Sequence, residues 1–212
     1  MLSYSALIQS LSKQVILPLY YHDDVTICLN RLRSLYKGGI RVIEFTNRGE
    51  RALSNFREMK KIQEQECPDL IFGVGTIYTA SEAEQFAKAG ADFLISPIFS
   101  KEVSDYCFKN QLPYVPGCMT PTEIYTATEA GCKLVKLFPG HVLGSSFIKS
   151  IQELFPGIAF MPTGGMKLDK NSLQDWLSSG AIAVGIGGPL FSSISAESDL
   201  TSLVSEIILM KS

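Results

Sequence analysis

Short apolar runs rich in β-branched residues alternate along the chain with longer stretches in which apolar positions recur every three or four residues. The short runs lie at 15–21, 41–46, 71–76, 93–97, 113–118, 134–139, 159–163 and 181–186, each with the length of a buried strand. Between them, 24–37 carries Val25, Leu29, Leu32 and Leu35 at helical spacing. The stretch 79–89 opens on a capping Thr79 and stops before Gly90, and 169–178 stops in the same way before Gly180. A leading helix is predicted over 4–12, and a polar, Ser-rich link leads to a last helix over 197–210. Eight strands at intervals of roughly 20 to 30 residues leave room for a helix after each, which is the pattern of a parallel α/β fold.

After the first strand the chain reads Leu19-Tyr-Tyr-His-Asp-Asp24, without the glycine pattern of an open dinucleotide-binding sheet. The expectation is therefore a (β/α)8 TIM barrel in which residues 1–212 form a single domain and the helix at 4–12 is an N-terminal capping helix over the barrel's bottom.

Composition narrows the partners. Of 212 residues, 46% are hydrophobic and 19% charged, the balance of a folded chain. Nineteen Lys and Arg face 21 Asp and Glu, and no basic stripe stands out. No nucleic-acid partner is expected, and any anion must be held by a local site. The five cysteines are scattered without a CxxC pair, as in reduced thiols, and two histidines are too few for a His-rich metal centre. Charges interrupt every apolar run before membrane-spanning length, and the N-terminus lacks the residue order of a secretory leader. These features predict a soluble, cytoplasmic protein with no membrane partner.

In such a barrel, chemistry sits at the C-terminal ends of strands. Lys136 shares a strand face with Leu134 and Phe138. A lysine among apolar groups loses hydration, its pKa falls toward neutrality, and a partly neutral amine can attack a ketone to form a Schiff base. The alternative is a lysine paired with a carboxylate for structure alone. Glu44, near the top of the second strand, is placed to pair with Lys136 or to shuttle protons, and desolvation would raise its pKa into the range of a general acid–base. Arg48, just beyond, has the fork to hold a carboxylate, unless it forms a surface ion pair. Pro162-Thr163-Gly164-Gly165 follows strand seven and Gly185-Ile186-Gly187-Gly188 follows strand eight, the two positions at which barrels build phosphate sites from backbone N–H groups. Either doublet alone is ordinary turn chemistry. Thr76 and Pro97 end strands three and four; Thr76 can hydrogen-bond a substrate, and Pro97 can only shape a wall.

Six motifs in order resemble one family, the 2-keto-3-deoxy-6-phosphogluconate (KDPG) and 4-hydroxy-2-oxoglutarate (KHG) aldolases. Glu44-Phe-Thr-Asn-Arg48 resembles its Glu-x-Thr-x-Arg, Gly73-Val-Gly-Thr76 its Gly-x-Gly-Thr, and Lys136-Leu-Phe-Pro139 its Lys-Phe-Phe-Pro. Ile95-Ser-Pro97, Pro116-Gly117 and Pro162-Thr-Gly-Gly165 match outright. The resemblance spans about Val15 to Leu190. It implies a class I aldolase in which Lys136 forms the Schiff base with a 2-oxo acid and Glu44 shuttles protons. Arg48 and Thr76 would bind the pyruvyl carboxylate, Pro97, Phe138 and Thr163 would line the pocket, and Gly164, Gly165, Gly187 and Gly188 would bind phosphate. A protonated imine is itself an electron sink, so no metal and no cofactor is required. Products would be pyruvate with glyceraldehyde 3-phosphate or glyoxylate, and the assembly a homotrimer.

The chain departs from the family at two places. Gly187-Gly188-Pro189 stands where the family has Gly-Gly-Ser, which removes a possible phosphate donor. Strand one has no Arg, whereas some relatives carry a basic residue there. Both changes weaken the case for a phosphorylated substrate without touching Lys136 or Glu44. The rival readings are a metal-dependent pyruvate aldolase, a non-catalytic phosphosugar-binding barrel, and a phosphate-binding isomerase or synthase resembling thiamin-phosphate synthase.

Overall fold

The computed structural model describes residues 2–192 and 197–209; the Ser-rich link and Met210, at the end of the predicted last helix, lie outside them in whole or in part. The strands are β1 (Ile16–Tyr20), β2 (Val42–Thr46), β3 (Ile71–Gly75), β4 (Leu94–Ile95), β5 (Tyr114–Val115), β6 (Gly117–Cys118), β7 (Leu134–Leu137), β8 (Ala159–Pro162) and β9 (Val184–Ile186). The helices are α1 (Tyr4–Gln14), α2 (Val25–Lys37), α3 (Ala52–Glu66), α4 (Ala80–Lys88), α5 (Lys101–Lys109), α6 (Pro121–Glu129), α7 (Gly140–Leu143), α8 (Ser146–Ile151), α9 (Lys170–Ser178), α10 (Gly188–Ser192) and α11 (Glu197–Leu209).

The result is an α/β fold built on parallel strands. A curled six-stranded sheet runs β5-β4-β3-β2-β1-β9, and a three-stranded sheet runs β6-β7-β8. Isolated parallel bridges join Phe160 to Ala181 and Thr163 to Gly185. The predicted run 113–118 divides at Pro116, which has no N–H to give to a ladder, so it forms two short strands. The first strand starts one residue late because Val15 closes α1, with φ 59° and its N–H on the Leu11 carbonyl. Asp24, Thr79 and Asp169 stand outside their helices as N-caps, their side chains accepting from the first turn.

Strand alternation divides the core in two. Leu17, Val42, Phe93, Val115, Leu134 and Met161 form an inner cluster that also takes in Leu7 and Leu11 of α1. Their neighbours Ile16, Ile43, Leu94, Tyr114, Val135 and Phe160 belong to the outer cluster under the helices. Two residues beyond Val42 and Leu134 on the same inner faces stand Glu44 and Lys136.

α1 is tied to this arrangement by Gln14, which is 3% exposed. Its amide donates to the Ile16 and Val42 carbonyls and accepts from the Arg41 and Val42 N–H groups. Among the described residues, no helix is long and apolar enough to cross a membrane.

Candidate active site

Parallel pairing sets β2 beside β3 and β6 beside β7, with Glu44 opposite Gly73 and Lys136 opposite Gly117 and Met161. Lys136 Nζ and Glu44 Oε1 stand 4.0 Å apart, with side-chain exposures of 5% and 1%. Nζ also lies 5.1 Å from the centre of the Phe138 ring. Burial pushes the Glu44 carboxyl above the usual carboxylate range, and the positive charges of Lys136 and Arg48 only partly oppose it. A carboxyl whose proton affinity is raised in this way is better suited to gaining and losing a proton than an exposed one.

Both oxygens of Glu44 and the hydroxyls of Thr46 and Thr163 are buried with no hydrogen-bond partner among the described residues. Buried polar atoms without partners are costly unless a ligand supplies them, and here they cluster in one place. Above them opens a cavity of about 580 Å³ lined by Thr46, Arg48, Thr76, Pro97, Lys136, Phe138 and Thr163. Gly164, Gly165, Gly187 and Gly188 line it too, so every predicted site residue except Glu44 faces the cavity. Glu44 lies beneath, reached through Lys136.

The backbone makes room for this chemistry at two glycines. A Cβ at Gly75 would overlap the Glu44 carboxylate, and one at Gly185 would overlap the Thr163 hydroxyl. Thr76 has φ 64°, a conformation that β-branched residues rarely adopt. It therefore stands outside β3 rather than ending it as predicted. Arg48 is exposed, its N–H on the Thr46 carbonyl, and no carboxylate within 4.0 Å among the described residues claims its guanidinium. The surface ion pair considered for it from sequence is not formed.

Gly164 and Gly165 both have positive φ, 91° and 69°. His141 holds this loop: its backbone N–H donates to the Gly164 carbonyl at 3.1 Å, and its Nδ1 lies 3.1 Å from the same oxygen. Among the described residues, the N–H groups of Gly164, Gly165 and Gly187 have no acceptor. They are available to an anion.

Sequence reasoning missed several contributors. The room made by Gly75 and Gly185 and the role of His141 depend on contacts between distant segments, and no local signal carries them. Thr46, Tyr21, Tyr78, Arg31 and Phe191 also line the cavity. Thr46 was within reach, since it shares the inner face of β2 with Glu44.

The comparisons with known proteins point to one family. The family model described as KDPG and KHG aldolase matches residues 7–205. The chain is 32% identical over 171 residues to a 2-dehydro-3-deoxy-phosphogluconate aldolase of Treponema pallidum, covering 80% of this chain and 79% of that one. It is 32% identical over 137 residues to the KHG/KDPG aldolase of Escherichia coli, covering 63% and 62%. Among solved structures, it superposes with a TM-score of 0.82 on the KDPG aldolase of Legionella pneumophila with pyruvate captured at low pH as a covalent carbinolamine intermediate. That match has 26% identity and covers 95% of this chain and 96% of that one.

Proposed function

The chain belongs to the KDPG and KHG aldolase family and is an aldolase, a lyase; from that premise we propose that it is a class I enzyme that cleaves a 4-hydroxy-2-oxo acid through a Schiff base on Lys136. The observation that carries this reading is a buried amine 4.0 Å from a buried carboxyl whose proton affinity is raised, at the floor of a cavity.

The Lys136 amine attacks the C2 carbonyl, and Glu44 relays the proton that turns the carbinolamine oxygen into departing water. The protonated imine then takes up the electron pair of the C3–C4 bond, while Glu44 removes the proton of the C4 hydroxyl so that the aldehyde leaves. Protonation of the enamine at C3 and hydrolysis release pyruvate and restore the amine. Arg48 and Thr76 hold the pyruvyl carboxylate, and Pro97, Phe138 and Thr163 wall the pocket. The substrate is KDPG, with KHG as a second substrate. Gly164, Gly165, Gly187 and Gly188 face the far end of the substrate and take its phosphate on backbone N–H groups.

The same reading treats the two sheets as one closed eight-stranded barrel in a single domain, with α1 plugging its bottom. The bridges from β8 to β9 and the mere one-residue gap between β5 and β6 support closure. A homotrimer and a cytoplasmic location belong to this reading as well.

The test is borohydride reduction in the presence of pyruvate, followed by intact mass and peptide mapping. One reduced pyruvyl adduct on Lys136, absent from Lys136→Ala, is the expected result. Cleavage of KDPG by folded Lys136→Ala at near wild-type rate would sink the mechanism.

A further inference from the structure

We infer that Arg31, on α2, is the residue that selects a phosphorylated substrate, gripping the terminal phosphate at the mouth of the cavity. This rests on the Schiff-base reading above for the identity of the substrate, but it concerns the opposite end of that molecule.

Arg31 lines the same cavity as Lys136 and is half-buried there. Its guanidinium centre stands 4.7 Å from the Phe191 ring and 5.9 Å from the Tyr20 ring. Stacking of this kind occupies the face of the guanidinium and leaves the in-plane N–H donors open. Among the described residues, no carboxylate lies within 4.0 Å of it and no acceptor takes its hydrogen bonds. By contrast, Arg33 and Arg41, on the same stretch of chain, are both spent on ion pairs with Glu66 and Asp69. A half-buried, aromatic-clamped cation without an anion is an arrangement in need of one.

Position identifies that anion. Phe191 is three residues beyond Gly188, so Arg31 stands beside the Gly187-Gly188-Pro189 turn. Pro189 offers neither N–H nor hydroxyl, and β1 supplies no cation of its own, so the positive charge beside the glycine N–H groups comes from the side chain that reaches in from α2. Arg48 lies on the Glu44 side, where that carboxyl feels its charge, whereas Arg31 lies against Phe191 and Tyr20. The cavity lining thus carries two arginines without carboxylate partners among the described residues, matching a substrate with two anionic groups. A phosphate, with three terminal oxygens, uses the Arg31 fork together with the free N–H groups of Gly164, Gly165 and Gly187 more fully than a carboxylate does.

The experiment compares wild type, Arg31→Met and Arg31→Lys in cleaving KDPG, its unphosphorylated counterpart 2-keto-3-deoxygluconate, and KHG. Borohydride trapping of pyruvate runs alongside as a measure of an intact Lys136 end. Losing charge-assisted hydrogen bonds in Arg31→Met should raise KM for KDPG about 10- to 100-fold with little change in kcat. Trapping and the cleavage of 2-keto-3-deoxygluconate should stay at wild-type levels. Arg31→Lys, which keeps the charge and loses the fork, should fall between, and inorganic phosphate should inhibit wild type more strongly than Arg31→Met. An equal loss on phosphorylated and unphosphorylated substrates, or no loss on KDPG, overturns the assignment. A loss confined to KHG overturns the choice of phosphate over carboxylate. Absence of trapping in wild type is a failure of the Schiff-base reading instead, and the KM contrast is then still read from cleavage alone.

Discussion

At the scale of single residues, the proposed chemistry turns on how burial changes one carboxyl that water would otherwise keep ionised. Glu44 is held at 1% exposure with neither oxygen hydrogen-bonded within the described residues, and burial is the main reason its proton affinity rises. A base works only when ionised. A carboxyl raised above about 4.3 therefore displaces the acid limb of kcat upward, and activity falls as pH drops through the raised value. Glu44→Gln cannot take up the proton. Its kcat should fall about 10²- to 10⁴-fold, its pH profile should lose that limb, and imine trapping should persist at a slower rate. Rates and profile identical to wild type would remove Glu44 from the mechanism.

At the scale of elements, the site depends on strands placing large and absent side chains against each other. β3 is mostly buried, and its Gly75 sits where the Glu44 carboxylate of neighbouring β2 must fit. Gly75→Ala forces that carboxylate aside in a sheet with little freedom to yield. The expected outcome is a kcat loss of about 100-fold with KM for pyruvyl substrates nearly unchanged, accompanied by about 1–3 kcal/mol of destabilisation in urea. Steady-state kinetics and equilibrium unfolding of the same preparation check both numbers. Unchanged kcat would mean that Glu44 tolerates displacement and that its position matters less than its charge.

At the scale of the whole molecule, one polar side chain joins the leading helix to the strands that carry Glu44. Gln14 satisfies two carbonyls and two N–H groups of the segments around β1 and β2 while it is itself buried. Gln14→Leu keeps the volume and leaves those four backbone groups without their partner. About 3 kcal/mol or more of stability should be lost, because each buried group left unmade costs about 1–3 kcal/mol. The urea midpoint reads this directly, while borohydride trapping by the folded fraction should be retained. A midpoint within error of wild type would show that Leu7, Leu11 and the Tyr4 hydroxyl's bonds to the Tyr114 backbone hold α1 without Gln14.

Much of this was legible along the chain. Alternation placed Lys136 with Leu134 and Glu44 with Val42, which is enough to bring both to an inner face once the strands are parallel. Thr79 and Asp169 marked helix starts through their own side chains. α3 left no such mark, since Arg51 at its N-cap makes no side-chain capping bond. Ser100 and Thr120 cap α5 and α6 through their side chains in the same way as Thr79. Local periodicity and capping act within a few residues, so the sequence by itself determined the strands, several of the helices and the candidate amine and carboxyl. Only the tertiary structure decided that Gly75 and Gly185 clear space for Glu44 and Thr163, that His141 holds the Gly164 loop, and that Arg31 leans over Phe191 into the cavity. Those contacts join residues tens to more than a hundred positions apart, and no short-range pattern encodes a distance of that kind.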